Sequence, residues 1–97
     1  MNRADILATA TTYVTKDRNA THGEPENSFA DIARLWTAYL KNRWGWEVEL
    51  DTTDVALMAT LLKVARATAN PGNADNWIDG AGYLACGGEL ATRGTTE

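Results

Sequence analysis

Apolar residues recur at spacings of three and four along most of the chain, and this period predicts four helices. The first covers roughly Arg3 to Thr15 and sets Ile6, Leu7, Ala10, Tyr13 and Val14 on one side. Its threonines give it weak intrinsic propensity, so packing has to sustain it. A polar stretch follows, DRNATHGEPENSF, with no apolar residue between Ala20 and Phe29. Pro25 suits a first helical position and Glu26 suits the positive end of the helix dipole. The second helix then carries Phe29, Ile32, Ala33, Trp36 and Leu40 within about 100° of a helical wheel. KNRWGWEVEL, Lys41 to Leu50, breaks that stripe and reads as a loop or a short extended pair.

The third helix has the strongest signals: a threonine cap at Thr52 or Thr53, an acid in the first turn, and the stop Asn70-Pro71-Gly72. Its apolar arc is wide, taking in Val55, Leu57, Met58, Leu61, Leu62, Val64, Ala65 and Thr68, and such a helix is expected at the centre of a fold. The fourth begins near Ala74 or Asp75 and runs to about Thr92, with Trp77, Ile78, Ala81, Leu84, Ala85 and Gly88 on one face. It contains Gly80, Gly82, Gly87 and Gly88, each costing a helix about 1 kcal/mol relative to alanine. Close approach by another helix or another chain is the expected compensation. The tail Arg93 to Glu97 is expected to fray. The expectation is one all-α domain over residues 1–97, a bundle of about four helices that forms a homo-oligomer.

Composition narrows the functions. Hydrophobic residues at 44% and charged residues at 23% are ordinary for a globular domain. A net charge of −4, with no basic run, disfavours DNA as a partner and a helix-turn-helix reading in particular. No apolar stretch approaches the roughly 18 residues of a membrane span. The start MNRADILATATTYV is too polar for a signal peptide, so a cytoplasmic location is expected. One cysteine, Cys86, and one histidine, His22, form neither an internal disulfide nor a zinc site.

Candidate chemistry is sparse. Lys63, Arg66 and Asn70 fall within about 60° on the third helix, a donor stripe that could hold phosphate or be a solvated face. Asp54 falls within about 20° of Leu61, on the face expected to point inward. It is either a first-turn charge answered by free backbone N–H groups or a ligand holder. Asp75, Asp79, Tyr83 and Cys86 share a side of the fourth helix, roughly opposite the Ala81 stripe. Asp75 reads first as an N-cap, while Asp79 lies a turn beyond any cap. Two carboxylates at this spacing could share a magnesium ion. Cys86 reads as a small buried residue. In the polar stretch Arg18 and His22 are donors, and Gly23 permits a tight turn or close approach of a ligand.

DRNATHGEPENSFADIARLWTAYL, followed by DVALMATLLKVARATANPGNADNWIDGAGYLACGGEL, resembles a family of small helical proteins encoded by tailed phages and prophages, described as a domain of unknown function. The resemblance covers most of the chain and places Arg18, Thr21, His22 and Gly23 in a shared motif. More distantly, the second block is similar to helical nucleotide pyrophosphohydrolases of the MazG and dUTPase type and to phage domains associated with nucleotide modification. Those hydrolases hold magnesium with E-x-x-E and E-x-x-D patterns on two helices, and metal-bound water attacks a phosphate. By position Asp79 matches the final acid of the second pattern. Asp75 stands at spacing four rather than three, and Asp54 has no E-x-x-E around it. Three candidate metal ligands stand where those enzymes have four.

Two functions follow. One is a nucleotide or phosphate binder, a reduced hydrolase or a sequestering protein. Arg18, His22, Lys63, Arg66 and Asn70 would meet phosphates, Asp54, Asp75 and Asp79 a metal, and Trp77 or Tyr83 would stack on a base. Lys63 points away from Asp54, so this reading needs a pocket between subunits. The other is a non-enzymatic accessory protein that binds a host or phage protein, supported by small size, Trp44 and Trp46, and an incomplete catalytic set.

Overall fold

A computed structural model describes residues 1–17 and 25–93. Its helices are α1 (Arg3–Thr12), α2 (Pro25–Trp44), α3 (Thr52–Ala69) and α4 (Ala74–Thr92), and no strand occurs among the described residues. The all-α, four-helix expectation holds.

α1 begins with a reciprocal cap. The Asn2 side chain accepts from the Asp5 N–H at 2.8 Å, and the Asp5 carboxylate accepts from the Asn2 N–H at 3.2 Å. The hydroxyls of Thr11, Thr12 and Thr15 each donate to the carbonyl four residues earlier, which removes their competition with the helix from solvent. The sequence predicts regular helix to Thr15, but the α-helical part stops at Thr12 and widens into a π turn over Tyr13–Asp17. Val14 in that turn packs on the core, against Gly82 of α4. A Cβ on Gly82 would lie 2.9 Å from Val14 Cγ1, closer than real Cβ contacts come.

α2 presents the stripe its sequence announces. Phe29 and Ala33 are buried, and Ile32, Trp36 and Leu40 are half-buried. The helix continues through Trp44, about one turn into KNRWGWEVEL beyond where the interrupted stripe implies. Gly45, at φ +70°, then ends it, with its N–H donating to the Lys41 carbonyl at 2.8 Å. Residues 45–50 form no strand. The half-buried Leu50 N–H donates to Thr37 Oγ1 at 2.9 Å, which ties this connector back to α2.

α3 is capped by Asp51 and not by either threonine. Asp51 Oδ1 accepts from the Asp54 N–H at 3.0 Å, and Asp54 Oδ2 accepts from the Asp51 N–H at 2.9 Å. α3 and α4 form a tight antiparallel hairpin. A Cβ on Gly87 would lie 2.5 Å from Ala56 Cβ, so the absence of a side chain there sets how closely the two helices cross. The expected compensation for glycine in α4 is thus met at Gly82 and Gly87. The core cluster joins Phe29 and Ala33 of α2, Val55 and Ala56 of α3, and Cys86 of α4, with Tyr83 and Leu90 packed on it.

Two helices turn faces outward that their sequences mark as inward. In α3 only Val55 of the expected arc is buried, while Leu57, Met58, Leu61, Leu62 and Val64 are exposed. In α4 Ile78 is buried, but Trp77, Leu84, Ala85 and Gly88 are exposed, and the packed line is Ile78, Gly82, Cys86 and Gly87. The physical reason is backbone proximity. Ala56 and Gly87 allow a close crossing of α3 and α4, and Gly82 a close approach by Val14, that larger side chains would prevent, so the small faces meet and the large ones do not. Arg93, expected to fray, bridges Glu26 at 3.4 Å and Glu89 at 3.3 Å, and residues 94–97 lie outside the described residues.

Candidate functional site

The outward faces of α3 and α4, with the start of α1, enclose a groove of about 720 Å³. Leu7, Val64, Trp77, Ala81 and Leu84 line it. A shallower depression of about 200 Å³, lined by Leu57, Leu84 and Gly88 among others, continues it past Leu84 toward the start of α3. Trp77 and Leu84 are each 51% exposed, large apolar surfaces held open to solvent. The Trp77 indole N–H donates to the Pro71 carbonyl at 2.9 Å, which fixes the ring against the α3–α4 turn before any ligand arrives. The turn itself is set by Asn73, whose side chain accepts from the Asp75 N–H at 3.1 Å and caps α4. The N-cap is therefore Asn73 and not Asp75.

Polar groups at this groove are few. Lys63 Nζ lies 3.0 Å from Asp79 Oδ2, an ion pair across the hairpin with the Lys63 side chain only 13% exposed. Lys63 lines the groove, where Gly80 packs beside its stem, and Arg3 of α1 is a second cation in the wall. The ion pair stitches α3 to α4 about two turns along the hairpin from the Ala56–Gly87 crossing.

The candidate site residues disperse. Arg18 and His22 lie outside the described residues, as do Thr21 and Gly23. Lys63 turns toward α4, whereas Arg66 and Asn70 are exposed, and the Asn70 N–H closes α3 on the Arg66 carbonyl at 3.0 Å. Tyr83 packs against Phe29 with ring centroids 6.4 Å apart, about 120° around α4 from Trp77. Asp54 is held in the α3 cap, the first-turn role the sequence allows for it. Asp75 is exposed at the start of α4, and Asp79 faces Lys63. Lys63 is nine residues along α3 from Asp54, about 14 Å of helix axis, so Asp54 and Asp79 stand at different levels of the hairpin. No group of three or more metal-ligating acids, histidines or cysteines occurs among the described residues.

Sequence reasoning reads Trp77 and Leu84 as core and so misses the groove. The signal was present in the small residues. Gly82, Cys86 and Gly87 mark the line along which α4 is approached, and that places Trp77 and Leu84 away from it. At the far end of α2, Trp44 and Trp46 are both exposed, with ring centroids 6.4 Å apart and the Arg43 guanidinium 4.0 Å above the Trp44 ring.

Comparison with known proteins assigns kinship. The family model described as a domain of unknown function, DUF6378, matches residues 5–91. The Gene 55 protein of Mycobacterium phage D29 is 36% identical over 81 residues, covering 84% of this chain and 50% of that protein. The Gene 55 protein of Mycobacterium phage L5 is 37% identical over 78 residues, covering 80% of this chain and 47% of that protein. The chain thus spans about half the length of these relatives. No solved structure matches.

Proposed function

The chain belongs to the DUF6378 family and is similar to phage proteins, and on that premise we propose that it is a non-enzymatic accessory protein that binds an amphipathic helix of a host or phage protein in the α1–α3–α4 groove. One observation carries the reading: a groove of about 720 Å³ walled by half-exposed leucines and a pre-anchored tryptophan, with Lys63 of its wall engaged by Asp79 and Arg3 at its α1 edge. Three helices wall the groove, and its α3 lining runs from Thr60 to Thr68, about 12 Å of helix axis, room for about two turns of a guest helix. An amphipathic helix laying apolar side chains at i, i+3, i+4 and i+7 into such a trough is a recurrent recognition mode. Trp77 is the natural anchor, since tryptophans in desolvated pockets carry much of the energy of interfaces. The proposed setting is the host cytoplasm. No described helix is long and apolar enough to cross a membrane.

The nucleotide reading draws less support. The best-placed cation on α3, Lys63, is engaged by Asp79, and of the base-stacking candidates Trp77 lines the groove while Tyr83 packs on Phe29 in the core. The test uses capture from phage-infected cells followed by titration of the purified, identified partner against wild type and Trp77→Ala. Trp77→Ala is expected to weaken binding about 10- to 30-fold at unchanged helicity by circular dichroism. Equal binding by both chains overturns the groove assignment. A rise in melting temperature with nucleoside mono-, di- or triphosphates and magnesium would transfer support to the rival reading.

A further inference from the structure

The charges in the groove wall are of one sign. Arg3 and Lys63 line it, and no aspartate or glutamate does so among the described residues, in a chain whose net charge is −4. The acids close by are held elsewhere: Asp79 answers Lys63 at 3.0 Å, and Asp5 accepts from the Asn2 N–H at the start of α1. Most polar hydrogens of the wall are already spent. The Thr60 and Thr68 hydroxyls donate to the Ala56 and Val64 carbonyls at 2.7 and 2.9 Å, and the Trp77 indole donates to the Pro71 carbonyl. The Asn76 amide, also in the wall, offers donor and acceptor alike and so selects no charge. Arg3 forms no hydrogen bond or ion pair among the described residues, which leaves its guanidinium donors open at the α1 edge.

We infer that the groove selects helices carrying a carboxylate beside their apolar face, with Arg3 as the residue that reads it. This rests on the groove as a helix-binding trough and adds the charge of the partner. Complementarity fixes the sign: a basic flank would set like charge against Arg3, with no acid in the wall to receive it. It also fixes the side. A guanidinium holds a carboxylate through two parallel N–H···O bonds, so the acid of the guest falls on its α1 flank. The overall negative charge of the chain does not outweigh this local preference. At about 0.15 M salt the screening length is about 8 Å, far less than the 44 Å long axis of the molecule. Charges spread over the surface therefore act weakly on a guest, while one at the groove edge acts at contact. An exposed pair changes affinity only a few-fold, and replacing attraction by repulsion about doubles the free-energy difference. The expected discrimination between an acidic and a basic flank is about 5-fold.

Fluorescence anisotropy with the full chain tests it, using three synthetic stapled helices as probes. They share one leucine face and differ only in the residues bordering it, all glutamate, all glutamine or all lysine, types of similar helix propensity. Wild type is expected to bind the glutamate helix about 5-fold tighter than the lysine helix, with glutamine between them and the spread shrinking at about 1 M salt. Arg3→Glu is expected to reverse the order, and it keeps α1 intact because an acid in the first turn suits the helix dipole. Equal binding of the glutamate and lysine helices by wild type overturns the inference, and so does an Arg3→Glu chain that still prefers glutamate. Trp77→Ala separates this from the groove reading. If it weakens all three helices alike while the charge order is absent, the groove stands and only the role of Arg3 falls. If it leaves all three unchanged, or if none binds wild type, the groove reading falls and this inference with it.

Discussion

Substituting alanine at two neighbouring glycines should move stability in opposite directions. Gly87 and Gly88 are adjacent in α4, and both gain about 1 kcal/mol of helix propensity on becoming alanine. At Gly88 the new methyl meets nothing within 4 Å, so that gain stands alone. At Gly87 it would arrive 2.5 Å from Ala56 Cβ, on the backbone side of the α3–α4 crossing, where no flexible side chain can yield. The helices must separate by more than an ångström, and overpacking of this kind costs about 1–3 kcal/mol, with a contact so short at the upper end. The net expectation is about 2 kcal/mol lost for Gly87→Ala and about 1 kcal/mol gained for Gly88→Ala. One kcal/mol moves the melting temperature of a domain this size by about 4–8 °C, so the two variants should differ by well over 10 °C. Thermal and urea denaturation followed at 222 nm, at one fixed protein concentration, measure this directly. If both variants melt above wild type, α3 and α4 do not cross at Ala56–Gly87 and the account of which faces are buried fails.

Further predictions concern single contacts. Asp51→Ala removes the acceptor for the Asp54 N–H and one half of the reciprocal cap, and should cost about 1 kcal/mol in urea denaturation, whereas Thr52→Ala should cost much less. Asp79→Leu leaves the largely buried Lys63 ammonium without its partner and should destabilise by about 2 kcal/mol, with Lys63→Met/Asp79→Leu recovering most of the loss. A double mutant as unstable as the sum of its singles would mean that the pair is not coupled.

How far the fold is legible in the sequence depends on the helix. α2 has one apolar side and one polar side, so its wheel has a single solution, and Phe29 and Ala33 are buried where the pattern puts them. α3 and α4 are apolar around much of their circumference, and periodicity then offers several faces without ranking them. Shape decides the matter. Ala56, Gly82 and Gly87 admit the nearest approach, and this consigns Leu61, Trp77 and Leu84 to the surface despite their greater apolar area. The Lys63–Asp79 pair was beyond reach for a related reason. It joins residues 16 apart across a hairpin whose register only the crossing fixes. Caps were nearly legible, since the reciprocal pattern of Asp51 and Asp54 is a local motif displaced one residue from the threonines. The first turn of α2 contributes Glu26, which meets Arg93 from the far end of the chain.

The composition of the core has a consequence for synthesis. Phe29, fully buried in the finished protein, finds its neighbours Val55, Ala56 and Cys86 only in the second half of the chain. Fifty-seven positions separate Phe29 from Cys86, so at ribosomal rates of about 5–20 residues per second the ring waits roughly 3–11 s for its last core neighbour to be made. α3 and α4, joined by a four-residue turn whose Asn73 N–H donates to the Asn70 carbonyl at 3.2 Å, need only local closure and can pair within microseconds of release. The nascent chain therefore folds from its C-terminal hairpin backward, and α1 and α2 emerge first but settle last.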